Sequence, residues 1–127
     1  MRYLTLIFLV LTNLAHAECY IVGEFEGYAS RDNDDFAFES DGMSGQEFMI
    51  ETSVAGSRVS PNDMKCISGG FRAVLCMADI PGRSSVESWS VYPEDGVAIL
   101  VKSRNGIGPM NGGMLMRGRI LRECENS

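Results

Sequence analysis

Histidine is almost missing from this chain, and its one imidazole, His16, falls within the first seventeen residues. Serine and cysteine nucleophiles need a neighbouring base, normally histidine, so the common hydrolase constellations have nothing to run on. Lysine is nearly as scarce. Lys65 and Lys102 are the only two, and neither sits in a recognisable Ser-Lys motif. Gly-x-Gly-x-x-Gly and P-loop patterns are missing as well. Gly106-Ile107-Gly108 has the look of a phosphate loop, but no Lys-Ser/Thr and no helix start follow it, so it reads as a flexible connection. Long apolar runs are confined to the N-terminus. The densest later run is Val97 to Val101, far below the roughly 20 residues that cross a hydrocarbon core. Net positive charge is lacking too: at −6 the chain has no basic face for phosphates, which argues against a nucleic-acid partner.

What is present begins with an export signal. One positive charge in Met1-Arg2-Tyr3 precedes the apolar stretch Leu4 to Leu14, and Ala15-His16-Ala17 supplies small residues at the two positions that signal peptidase reads. Cleavage after Ala17 leaves a mature chain of 110 residues beginning at Glu18. Arg2 departs and every acid stays, so the charge moves from −6 to −7. Glu18, directly before Cys19, is not the small residue a lipobox requires. The expectation is therefore an exported product, periplasmic or extracellular, with no lipid anchor, no membrane span and one domain over residues 18–127.

Four cysteines remain after cleavage: Cys19, Cys66, Cys76 and Cys124. An even count in an exported chain reads as disulfides. Zinc would want C-x₂-C spacing or histidine, and neither is there. Strand-like flanks around Gly69-Gly70 set Cys66 and Cys76 across a hairpin. Cys19 and Cys124 are then left to join the two ends of the mature chain, which requires the first and last strands to be neighbours.

Short β-forming runs alternate with turn residues throughout. Cys19 to Tyr28 alternates in type, and Arg31 to Asp35 breaks it. Phe36-Ala37-Phe38 is a brief strand closed by Ser40-Asp41-Gly42, and Glu47 to Ser53 is the next. Val86 to Tyr92 and Val97 to Lys102 flank Pro93-Glu94-Asp95-Gly96, with proline early and glycine late as a tight turn requires. Met114 to Leu121 is the last run. No window keeps a helical period with caps. Together these predict an all-β domain, a small antiparallel barrel of about eight strands, with a β-sandwich as the alternative.

Paired carboxylates run glycoside hydrolysis without histidine, and alternation puts Glu24 and Glu26 on one strand face. The surrounding acids sit in turns, however, and one small domain lacks a deep cleft, so no enzymatic activity and no catalytic residue are expected. Asp32-Asn33-Asp34-Asp35 offers oxygens to calcium without the glycine or distal glutamate of an EF-hand loop, and reads as a polar turn. No metal or other cofactor is expected. Two functions remain. The first is a non-enzymatic protein-binding module, an inhibitor, immunity or accessory protein of the envelope, whose partner is another protein and, given the acidic charge, a basic one. The alternative is a carrier of a small apolar ligand inside a barrel lined by Phe, Met and Trp89. For the first, the glycine-dense Arg104 to Gly113 connection holds Ile107 and Met110 as candidate contacts, with Arg104 and Arg117 flanking them.

Overall fold

The computed structural model describes residues 18–53 and 56–125, so the secretion signal read over residues 1–17 lies outside the described part. Eight strands follow in order: β1 (Glu18–Arg31), β2 (Phe38–Thr52), β3 (Arg58–Ser60), β4 (Lys65–Ser68), β5 (Ala73–Ile80), β6 (Arg83–Tyr92), β7 (Val97–Asn105) and β8 (Gly112–Glu123). All ladders are antiparallel. The spatial order is β3-β2-β1-β8-β7-β6-β5-β4. This is an up-and-down meander curled into a nearly closed barrel, as expected from the spacing of turn residues. The gap falls between β3 and β4, which follow one another in sequence but share no ladder.

Both expected disulfides are formed. Cys19–Cys124 clamps β1 to β8 with Cα atoms 5.3 Å apart, and the Cys124 N–H donates to the Cys19 carbonyl at 3.0 Å. Cys66 and Cys76 lie directly opposite in the β4–β5 ladder. The β6–β7 hairpin also follows the expected turn, pairing Tyr92 with Val97 across Pro93 to Gly96.

The sequence-based boundaries are corrected in β1 and β2. Phe36–Phe38 and Glu47–Ser53 are not two strands separated by a turn, because β2 runs unbroken from Phe38 to Thr52. The turn-forming residues between them are absorbed as an irregularity instead. Gly45 takes a φ of +79°, Glu24 opposite takes +54°, and the β1–β2 register shifts between Gly23 and Phe25. An extra residue in one strand bends it and re-aims its side chains. Simple alternation would put Val22 and Phe25 on opposite faces, yet both are buried. The short β3 has no counterpart in the expected strands.

The interior divides into two halves. Tyr20, Val22, Ile50, Val74, Val91 and Ala98 fill the end that carries the chain terminus and the β4–β5 and β6–β7 turns. Burying the valine and isoleucine side chains among them contributes about 1.5–3 kcal/mol each. Arg72 ties that end shut, donating to Glu18 at 2.9 Å and to Glu94 at 2.7 Å. Those hydrogen bonds, to Glu18 first and Glu94 second, push its pKa up. Above this half, Phe25, Phe48 and Trp89 form an aromatic layer, with ring centroids 5.8 Å apart for Phe25–Trp89 and 5.0 Å for Phe48–Trp89. Gly118 makes room for it, since a Cβ there would stand 2.6 Å from the Phe25 ring.

Candidate functional site

Beyond the aromatic layer the barrel stays hollow. A cavity of about 440 Å³ lies at the end that carries the β1–β2, β3–β4, β5–β6 and β7–β8 connections. Phe48 and Trp89 form its floor, Met43, Met64, Leu100 and Met114 its apolar walls, and Glu87, Lys102 and Arg104 its polar side. Asn62 and Asp63 border it from the β3–β4 connection, beside the gap in the sheet.

The β6–β7 ladder explains how charge comes to be inside. Its register sets Trp89 opposite Leu100, Glu87 opposite Lys102 and Ser85 opposite Arg104. Side chains alternate along a strand, so the face carrying the buried Trp89 and Leu100 also carries Glu87, Lys102 and Arg104. The Glu87 carboxylate and the Lys102 ammonium, 6% and 16% exposed, stand 3.6 Å apart. That is an ion pair but longer than a good hydrogen bond. Burial pushes the Lys102 pKa down and Arg104 adds to the effect, while Glu87 opposes both.

Two further donors lack partners among the described residues. The Trp89 indole N–H is buried without an acceptor, and no carboxylate forms an ion pair with Arg104. At the rim, Arg31 and Asp41 are ion-paired, and the Arg31 hydrogen bond is the main reason that Asp41 stays below its usual carboxylate pKa. A pocket next to the rim brings Arg31, Lys102, Arg104 and Met110 together.

The residues singled out in the sequence are thus dispersed. Arg104 points into the barrel. Met110 is exposed at the rim, in a single 3-10 turn, Gly108–Met110. Ile107 is half-buried, its N–H donating to the Asn111 Oδ1 at 2.7 Å. Arg117 lies on the outer face, paired with Glu26 at 3.0 Å, so the two arginines stand on opposite sides of the barrel wall. The four cysteines are the two disulfides. Glu24 and Glu26 both face outward, Glu24 paired with Arg119 at 2.8 Å. Asp32–Asp34 forms a 3-10 turn, and among the described residues no group of three or more His, Cys, Asp or Glu side chains is placed to hold a metal ion. No described helix is long and apolar enough to cross a membrane.

Sequence reasoning missed Glu87 as a site residue and passed over Lys102 for want of a motif. The signal was available in the hairpin. Once Tyr92 pairs with Val97, Glu87 must face Lys102, on the same face as Trp89 and Leu100.

The outer wall has its own feature. Tyr28 pairs with Leu115, and Leu115 with Val101, giving an apolar row in which Tyr28 is 60% and Leu115 54% exposed, with Phe38 beside it at 84%. An open groove of about 650 Å³, bordered by Ser40, Ile99 and Arg117, adjoins the row.

No protein-family model matches the chain, and no curated protein and no solved structure is similar to it.

Proposed function

We propose that this protein is a non-enzymatic carrier that holds a small ligand in the open half of its barrel. The observation that carries this reading is the cavity itself, about 440 Å³ with Trp89 on its floor and buried charge on one wall. Ligand sites are commonly concavities of about 300–1,000 Å³, mostly apolar with a few placed polar groups. The retained ion pair supports the reading, since apolar residues of similar volume often serve stability as well or better than a buried pair. Two disulfides and an exported, oxidising setting agree with one another, and we place the carrier outside the cytoplasm.

Native mass spectrometry of the protein purified from its own host tests this. A stoichiometric adduct is expected, released on denaturation and diminished in Met114→Trp, whose larger side chain narrows the cavity. A ligand-free spectrum for the wild type, or an adduct as abundant in folded Met114→Trp as in wild type, overturns it.

The exposed row of Phe38, Tyr28, Leu115 and Val101 favours a second reading, a protein-binding module, because contiguous exposed apolar surface marks contact sites. Leu115→Asp and Met110→Asp separate this face from the loop tip. If the row is the contact, Leu115→Asp loses a partner that wild type captures from envelope extract, at unchanged melting temperature, while Met110→Asp keeps it. The reverse pattern assigns the contact to the loop.

A further inference from the structure

The polar side of the cavity is not symmetrical in charge, and this bears on what the carrier would carry. Resting on that reading, we propose that the cavity takes a small amphipathic carboxylate, with its acidic group between Lys102 and Arg104 and its apolar body against Met43, Phe48, Met64 and Met114.

Two cationic donors serve this wall, the Lys102 ammonium and the Arg104 guanidinium. Among the described residues one buried carboxylate answers them, that of Glu87, and its ion pair is to Lys102. Asp63, the other acid on the lining, is exposed and is the smallest of the charge influences on Lys102. The Asp41 carboxylate is already occupied by Arg31. Lys102 and Arg104 therefore repel one another across a poorly solvated space, and the Arg104 charge is one of the influences that lower the Lys102 pKa. A carboxylate between them converts that repulsion into two charge-assisted contacts, the stronger kind of hydrogen bond. An ammonium in the same place would add a third cation. A neutral alcohol would leave both cations as they are.

The apolar lining fixes the rest of the ligand. Methionine side chains are flexible and polarisable and fill irregular space against varied apolar groups. Met43 from β2 and Met64 from the β3–β4 connection line the cavity away from the β6–β7 ladder, with Phe48 at its floor, and Met114 lies beside Lys102 in the β7–β8 ladder, where the apolar lining meets the charged side. A ligand polar at both ends would bury one end against sulfur and hydrocarbon, at the cost of an unpaired polar group. One head and one apolar body is the pattern that matches both walls.

The fluorescence of Trp89, the sole tryptophan of the chain, reports binding without a label. Titrations with decanoate, decan-1-ol and decylammonium, all below their aggregation limits, compare three heads on one tail. Decanoate is expected to saturate at a concentration at least ten-fold lower than the other two. R104Q is expected to bring its affinity down to that of decan-1-ol, with the melting temperature checked to confirm the fold. Equal binding of decanoate and decan-1-ol, or a preference for decylammonium, overturns the carboxylate assignment and leaves the carrier reading standing. Failure of all three to perturb Trp89 counts against the carrier reading as well. A ten-fold decanoate preference that survives R104Q places the head elsewhere and overturns the proposed seat.

Discussion

Lys102→Met is expected to lower stability by about 3–5 kcal/mol, the cost of stranding a buried charge once its partner is gone. The Glu87 side chain is 6% exposed, and Lys102 is its one ion-pair partner among the described residues. Methionine reproduces the length of the stem without the charge, so the loss measures the orphaned carboxylate rather than a hole. The double variant Glu87→Leu/Lys102→Met separates this from general damage. With both members of the pair replaced by apolar side chains no carboxylate is stranded, and stability should return to wild type or exceed it by about 1–4 kcal/mol. Urea denaturation of the three proteins reads this directly. A single variant within about 0.5 kcal/mol of wild type would mean that water already solvates Glu87 and that the pair is not buried in any energetic sense.

The same lysine gives the wild type a pH signature. Its folded-state pKa lies below 10.5, so between the two values the unfolded chain binds more protons than the folded one. Stability therefore rises with pH across that window. Tyr20 acts in the opposite sense. Burial, with Glu18 next, raises its pKa above 10.0, so above that pH the folded state holds the extra proton and stability falls as pH increases. The double variant lacks the first effect and keeps the second. Its stability should be flat where wild type climbs, then decline alongside it.

How much of this was legible beforehand follows from which interactions are local. Turn chemistry is local, so Pro93 to Gly96 announces the β6–β7 hairpin and Gly69-Gly70 announces β4–β5. The disulfide pairing followed, and with it the adjacency of β1 and β8. The bulge at Glu24 was not legible. It depends on Gly45, twenty-one positions away, and a register shift becomes visible only when both strands are paired. Asp41-Gly42 read as a turn because those residues favour turns, and the long β1 overrode that preference by offering a ladder on both sides of it. The cavity was half legible. Phe, Met and Trp89 were expected inside, but Glu87 and Lys102 look like surface residues until alternation and register are applied together. Arg104 shows the same difficulty in reverse. Read as part of a loop, it belonged with Ile107 and Met110, whereas it is a strand residue whose parity turns it inward.

Removing the long-range disulfide with Cys19→Ser/Cys124→Ser is expected to cost more than removing the short one with Cys66→Ser/Cys76→Ser, although both pairs join adjacent strands. The bridges span sequence separations of 105 and 10. If a disulfide acts by restricting the unfolded chain, its effect grows with the loop it closes, from about 3 kcal/mol for a fifteen-residue loop to about 4.7 kcal/mol for a hundred-residue one. The folded state gives little reason to reverse that order. At Cys19–Cys124 the β1–β8 ladder runs on from Tyr20–Glu123 to Arg31–Gly112 without the sulfurs, so the barrel should still close and the aromatic layer should stay intact. At Cys66–Cys76, β4 is a four-residue edge strand beside the gap in the sheet, and its release would loosen one border of the cavity rather than the whole barrel. The double-serine variants avoid free thiols that would exchange. Urea denaturation under oxidising conditions gives the two losses, expected within the 2–5 kcal/mol range of small secreted domains. Near-ultraviolet circular dichroism checks that the packing around Trp89 survives in both. If the short bridge proves the costlier, unfolded-chain entropy does not govern these disulfides, and the stability of the barrel rests on holding β4 at the open seam.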